Sequence, residues 1–311
     1  MFGEDAYAEA EKINIIGGTN EDVLSLENLP TVKVLTIASS EVTDAGLAKL
    51  SKLPRLNSLH VMHAKITPSA MGSLRPIQSL DFLLLAGEHI TDEVLANVSD
   101  LTQLTALEIK RCPITSVGLT SIAKTETMEQ LTLNGLSALR EDDLQVLQRM
   151  KKLHWLKISH LDLSERGLEH LAKIPSLETL CLCDERQSPL SVNDLDALNR
   201  FPKLKALSFE ARASSNDVLL AVAKISSLEE LQLIGDCFTS PCTSDIARLK
   251  NLERLAIDKT KIDAEGIKPL LALTNLKEIW LPQDVSSEAA MSFQGKMPAC
   301  KVHVHHNAKI Q

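Results

Sequence analysis

Leu56-Asn57-Ser58-Leu59-His60-Val61 is the stretch from which the fold is read. Its second half alternates apolar and variable residues at a period of two, the signature of a short half-buried strand with Leu59 and Val61 facing the core. The same aliphatic position recurs at Leu35, Leu59, Leu83, Leu107, Leu131, Leu156, Leu180, Leu207, Leu231, Leu255, Ile279 and Val302. The steps between them are 24, 24, 24, 24, 25, 24, 27, 24, 24, 24 and 23 residues. A nearly fixed step of this size means one strand-helix unit, unable to bury its own apolar face, stacked on copies of itself.

Beyond each strand one more inward residue seals the layer, at Val42, Ile66, Ile90, Ile114, Leu163, Phe238 and Ile262. A short oxygen-bearing side chain follows, at Thr43, Thr67, Thr91, Thr115, Ser164 and Asp263, and predicts a helix start by accepting from an orphaned backbone N–H. Pro68 supports this, because the first helical turn needs no donor there. Leu47 and Leu50, or Leu168 and Leu171, then share one buried face, and Pro54, Pro175 and Pro202 stop the helix before the next strand. At the ends, Ile13 and Ile15 predict a shortened lead strand before a helix start at Thr19-x-x-Asp22. Residues 1–12 are expected to cover that end. Val302 and Val304 predict a last strand, with a polar tail from His305.

Val42-Thr43-Asp44-Ala45-Gly46-Leu47 and Ile90-Thr91-Asp92, followed by Leu50 and the next Leu56-x-x-Leu59-x-Val61, resemble leucine-rich repeats. The likeness is to the bacterial and ribonuclease-inhibitor-like type, whose helices start with Thr-Asp-x-Gly-Leu, and it runs over residues 13–304. It implies an α/β fold, a right-handed solenoid (horseshoe) of about twelve strand-helix repeats of about 24 residues. The parallel β-sheet is then concave and the helices convex. It implies no chemistry. Such repeats place a small polar residue three positions past the last strand aliphatic; Ser40, Cys112 and Thr260 fit, while Ala64, Glu88, Leu136, Leu161 and Arg212 do not. The long step after Leu180 carries extra residues, which predict a rim loop over 184–189.

Length alone, at 311 residues, would suggest two domains, but the unbroken period predicts one over 1–311. Within it, 1–30 is expected to be an N-terminal capping segment, 31–298 the repeats, and 299–311 the last strand and tail. Hydrophobic residues make up 44% but aromatics only 3%, as expected of stacked aliphatic layers. The formal charge of −8 without a Lys/Arg block argues against a nucleic-acid partner. No stretch approaches the roughly 20 apolar residues of a membrane span. The acidic, alanine-rich start lacks the features of a signal peptide, so a cytoplasmic location is expected. The six cysteines have no regular spacing and are expected to be reduced thiols.

Residues interleaved with the core positions face solvent on the concave sheet. Met62, Phe82 and Leu84 form an apolar cluster there in the first half, with Trp155 further along; the competing reading is a register shift, or Phe82 folded over its own repeat. Glu108 and Lys157 share this face. In the second half Glu210, Glu230, Asp258 and Glu278 stand against Arg254 and Lys301, a surface suited to a basic segment or simply solvated. Trp280 is a second anchor or, preferred, packs under the C-terminal cap. Cys181 and Cys183, two apart on one strand, invite a soft metal, but zinc needs about four ligands and the neighbours are Thr179, Lys157 and Ser208. His303, His305 and His306 suggest only adventitious metal binding. His60 and Glu108 lie about 10 Å apart by strand spacing, too far to cooperate, and no phosphate loop or His-Glu-x-x-His motif is present.

The expected function is a non-catalytic protein–protein interaction scaffold, binding a protein or peptide through the concave face and rim loops. The expected site is Met62, Phe82, Leu84, Glu108, Trp155, Lys157, Glu210, Glu230, Arg254 and Asp258, with no cofactor and no metal. The alternative is the substrate-recognition arm of a larger enzyme or effector, comparable to a ligase adaptor.

Overall fold

A strand closes its hydrogen bonds only against a neighbour, and here each repeat supplies its predecessor with one. The computed structural model describes residues 11–184, 190–211 and 216–304. Its backbone forms two compact units, Met1–His154 and Trp155–Gln311. In the first, β1 (Lys12–Ile16), β2 (Val34–Ala38), β3 (Ser58–Met62), β4 (Phe82–Ala86), β5 (Ala106–Lys110) and β6 (Gln130–Asn134) pair in chain order, all parallel. In the second, β7 (Trp155–Ser159), β8 (Thr179–Asp184), β9 (Ala206–Ala211), β10 (Glu230–Ile234), β11 (Arg254–Asp258), β12 (Glu278–Leu281) and β13 (Lys301–Val304) do the same. The fold is the stacked strand-helix solenoid that the period predicted, of the leucine-rich repeat kind that the resemblance implied.

Registers follow the aliphatic ruler. Leu35, Leu59, Leu83, Leu107 and Leu131 are partners in the first unit, and Leu156, Leu180, Leu207, Leu231, Leu255, Ile279 and Val302 in the second. Burying each leucine stabilises by about 1.5–3 kcal/mol, and a one-residue slip would turn a whole layer to solvent. Backbone bonds pin the register as well: the Asn57 carbonyl accepts from both Asp81 and Phe82 N–H, each at 3.0 Å, and Glu229 accepts likewise from Glu253 and Arg254. The sealing residues Val42, Ile66, Ile90, Ile114, Leu163, Phe238 and Ile262 are all buried.

The return segments are shorter than expected. α1 (Asn20–Leu24), α2 (Asp44–Leu47), α3 (Ser69–Leu74), α4 (Asp92–Leu95) and α5 (Ser116–Ile122) serve the first unit. The second has α6 (Glu165–Ala172), α7 (Val192–Leu195), α8 (Val218–Val222), α9 (Thr243–Ile246) and α10 (Ser287–Lys296). Several continue as 3-10 turns, and Glu141–Arg149 and Lys268–Ala272 are 3-10 throughout. A five-residue strand spans about 17 Å. A 3-10 segment, rising about 2.0 Å per residue against 1.5 Å in an α-helix, covers that distance with fewer residues.

The Thr-Asp pair at the helix start does more than cap its own helix. At Thr43 and Thr91 the threonine makes no side-chain cap bond. Thr91 donates to Glu93 of its own helix at 2.6 Å, whereas at Thr43 and several other helix starts the acidic or amide side chain of one repeat reaches the threonine of the next. Asn20 bonds Thr43 N and Oγ1, both at 3.0 Å. Asp44 accepts from Thr67 N at 2.8 Å and from the Thr67 and Ser69 hydroxyls. Asp92 accepts from Thr115 N (2.8 Å), Thr115 Oγ1 (2.6 Å) and Gly118 N (2.9 Å), and Asn216 bonds Thr239 N and Oγ1 in the second unit. Glycine at the fourth motif position is now explained: a Cβ on Gly118 would lie 2.4 Å from Asp92 Oδ1, and one on Gly46 would lie 2.6 Å from Asn20 Oδ1.

The Asp44 rung carries a pH dependence. Burial raises the pKa of Asp44, but the hydrogen bonds from Ser69 and Thr67 outweigh it and hold the carboxyl below its ordinary 3.8. A folded pKa below the unfolded one gives stability that is fully present above the unfolded value and is lost as pH falls through the folded one. Urea unfolding followed from pH 7 to pH 2 is therefore expected to fall less steeply in Asp44→Asn below about pH 4. Parallel curves for native and variant would refute the assignment.

The ends and the turn column hold further corrections. β1 is a full five-residue strand paired along its length with β2, so the lead strand is not shortened. Thr19 and Asp22 form the expected capping box. Of the covering segment 1–12 only Glu11 and Lys12 are described, and the 185–189 loop, Arg212, His305 and His306 lie outside the described residues. Ser40 is exposed and turns to Glu41; the buried Ser39 bonds the turn backbone instead, donating to Gly18 O and accepting from Glu41 N at 3.1 Å. The cause is backbone geometry. His63, Gly87, Arg111 and Gly135, the equivalents of Ser39 in the later repeats, adopt positive φ, which Ser39 does not. Cys112 bonds backbone carbonyls at the strand ends, Lys110 O at 3.2 Å and Leu85 O at 3.6 Å, whereas the buried Thr260 hydroxyl has no partner among the described residues. At the far end Gln294 of α10 clamps the last strand, donating to Met297 O and Cys300 O and accepting from Val302 N.

Candidate functional site: the open face of the sheet

Side chains alternate across a strand, so the aliphatic layer on one face leaves the other to the variable residues. In the first unit Phe82, Leu84, Met62 and Glu108 are all half-buried on that open face. Registers run without a slip from Ser58 through Phe82 to Ala106, which excludes the register-shift reading. The Phe82 ring does not fold over its own repeat. It leans on His60 of β3, with ring centroids 5.4 Å apart and planes at 58°. Leu84 stands in register between His60 and Glu108, and Met62 beside Ala86. Burial lowers the His60 pKa, Glu108 opposing and Lys12 adding to the shift, so the imidazole is neutral at pH 7 and packs as an aromatic.

The second unit carries Trp155, Lys157, Glu210, Glu230, Arg254 and Asp258. Its acidic surface is partly consumed. Glu230 forms an ion pair with Arg254, and Glu278 bonds His303 at 2.8 Å. Glu210 lies in register with Cys183, and Asp258 with Ile234. Trp280 does not sit under the terminal helix. It stands half-buried on the open face, stacked on His303 at 5.1 Å with planes 16° apart. Between Trp280 and Cys181 the small side chains of Ala206, Ser208 and Ala256 leave a shallow trough of about 330 Å³, with Gln232 held to Ser208 at 2.9 Å. Alternation alone places Ala206, Ser208 and Ala256 on this face, and their run of small side chains is what shapes the trough.

Thiols are present on this face but not activated. Burial pushes Cys181 up to about 11, with Lys157 pulling the other way, and raises Cys183. Cys112 and Cys242 rise to about 11 and about 12 for the same reason. All six cysteines are free. Among the described residues no group of three or more His, Cys, Asp or Glu is placed to hold a metal ion, and no helix is long and apolar enough to cross a membrane.

A leucine-rich repeat family model matches residues 101–123, which include β5 and α5. No curated protein matches the chain. Among solved structures, an internalin (InlF) from Listeria monocytogenes is similar over 97% of this chain and 89% of its own, at 17% identity and a TM-score of 0.52. A second, internalin C2 from the same organism, is 19% identical over 76% of this chain and 84% of its own, with a TM-score of 0.38. The first likeness is one of fold.

Proposed function

We propose that this chain, a leucine-rich repeat fold with an uncovered sheet face, is a non-catalytic scaffold that holds a protein or peptide partner on that face. The observation that carries the reading is the half-exposed group of Met62, Phe82 and Leu84 on β3 and β4. Contiguous apolar surface on a soluble domain usually has a use, and a rigid aromatic anchored on a neighbour loses little entropy when it is covered. Leu84 and Phe82 are the anchors in this reading; Glu108 supplies polar contact beside them, and Lys157, Glu210, Arg254, Glu230 and Asp258, with Trp155, do so in the second unit. The six free thiols support a reducing, cytoplasmic setting.

The test is affinity capture from the source cell with the native chain beside a Phe82→Asp/Leu84→Asp double variant whose fold is verified by circular dichroism. The expected result is one protein enriched by the native chain, whose affinity for the purified variant falls at least 30-fold, about 2 kcal/mol, as for a binding hot spot. Equal affinity would move the binding site off this face.

A further inference from the structure

We propose that Cys181 and Cys183 form a two-coordinate site for a soft metal ion of the Cu(I) class on the open face of β8. Both thiols are half-buried on one face of one strand, two residues apart, so their Cα atoms are about 6.6 Å apart. Taking the zinc–thiolate bond of about 2.3 Å as an upper bound for two-coordinate Cu(I), a linear S–metal–S unit spans at most about 4.6 Å. The two side chains close that difference by leaning together, without any movement of the strand. The need for four ligands argues against zinc here, but it does not bear on an ion that takes two thiolates, which soft sulfur ligands select. On binding, each thiol gives its proton to solvent, two S–Cu bonds form, copper stays Cu(I), and the centre carries one negative charge.

The neighbours fit that charge. Lys157 stands in register beside Cys181 and already favours its ionised form. Ser159, in register beside Cys183, is only 4% exposed, and its hydroxyl has no hydrogen-bond partner of normal geometry among the described residues. It lies close enough to Cys183 to favour the thiolate. A buried hydroxyl without an acceptor is costly, and a metal-bound thiolate sulfur is the acceptor it lacks. Burial of both thiols opposes the charge, as do the two thiols toward each other and Glu210 on the other side of Cys183.

The test supplies Cu(I) from a coloured bicinchoninate complex to the reduced full chain without oxygen, and reads stoichiometry and affinity from the loss of colour. The expected result is one Cu(I) per chain, lost in Cys181→Ser and in Cys183→Ser and retained in Cys237→Ser/Cys242→Ser. Ser159→Ala and Lys157→Met are each expected to weaken binding about 10-fold, as outer-sphere partners do. X-ray absorption is expected to find two sulfur neighbours. Binding that survives either single cysteine variant, binding that requires Cys237 and Cys242, a third ligand, or no binding at all would each overturn the site. Circular dichroism on every variant, with Cys181→Ala as a second replacement, separates loss of the ligand from loss of the fold.

Discussion

Gly235→Ala is expected to destabilise the second unit by about 4 kcal/mol, read as a lowered urea midpoint at unchanged slope. Gly235 follows β10 with φ +140, a region that L side chains rarely enter. Its Cβ would also stand 1.9 Å from the Ala211 carbonyl oxygen and 3.1 Å from the carbonyl carbon. Those are backbone atoms at the end of β9, so they cannot swing aside as a long side chain would. The turn must open, at the expense of the Gly235 N–H bond to Asp258 O at 3.2 Å. A loss below about 1 kcal/mol would show that the turn is not built this way.

Asp92→Ala is expected to cost the first unit about 3 kcal/mol, because two backbone donors and one hydroxyl lose a charged acceptor together. Thr115 N–H and Gly118 N–H would be left at a helix start with no partner, and the start of α5 would loosen. Asp92→Asn is the informative control. An amide keeps one oxygen for backbone donors, and Asn20 and Asn216 already occupy this position in other rungs. The asparagine variant is therefore expected to lose less than half as much in the same unfolding measurement. Equal losses would mean that the carboxylate charge matters more than the geometry.

Strand positions were legible in the sequence because their cause is local and repeated: Leu59 and Val61 alternate, the next repeat does likewise, and registers follow. The sealing column at Val42 through Ile262 was legible for the same reason. The Asp44 to Thr67 bond was not. Both residues were visible, but a Thr-Asp pair reads as a helix start in isolation, and nothing in a linear pattern tells whether a carboxylate turns back to its own helix or across to the next repeat. Gly46 and Gly118 held the clue, since glycine in the first turn of a helix weakens it unless something must approach closely. Ser39 was missed because its role depends on a backbone angle that its equivalents His63, Gly87, Arg111 and Gly135 do not share. Of the candidate site, Phe82, Leu84 and Met62 were placed on the right face by alternation alone. The lean of Phe82 onto His60, the Glu230–Arg254 pair and the stacking of Trp280 on His303 depend on rotamers, which period does not encode.

The rungs also bear on how such a chain can grow. Where such a rung forms, it joins an Asp or Asn from one repeat to a Thr, and in places a Gly, of its successor, so the module has a giving side and a receiving side. A copied block running from Thr43 to Ile66 carries one complete set of both, and either junction then meets the half it needs. A block cut between Thr43 and Asp44 does as well in register, but a deletion that removes Asp92 and spares Thr115 leaves a receiver with nothing to receive. Whole-module duplication therefore preserves the polar seam automatically, whereas partial loss exposes it, and the lineage of such a protein is expected to record its history in units of whole repeats.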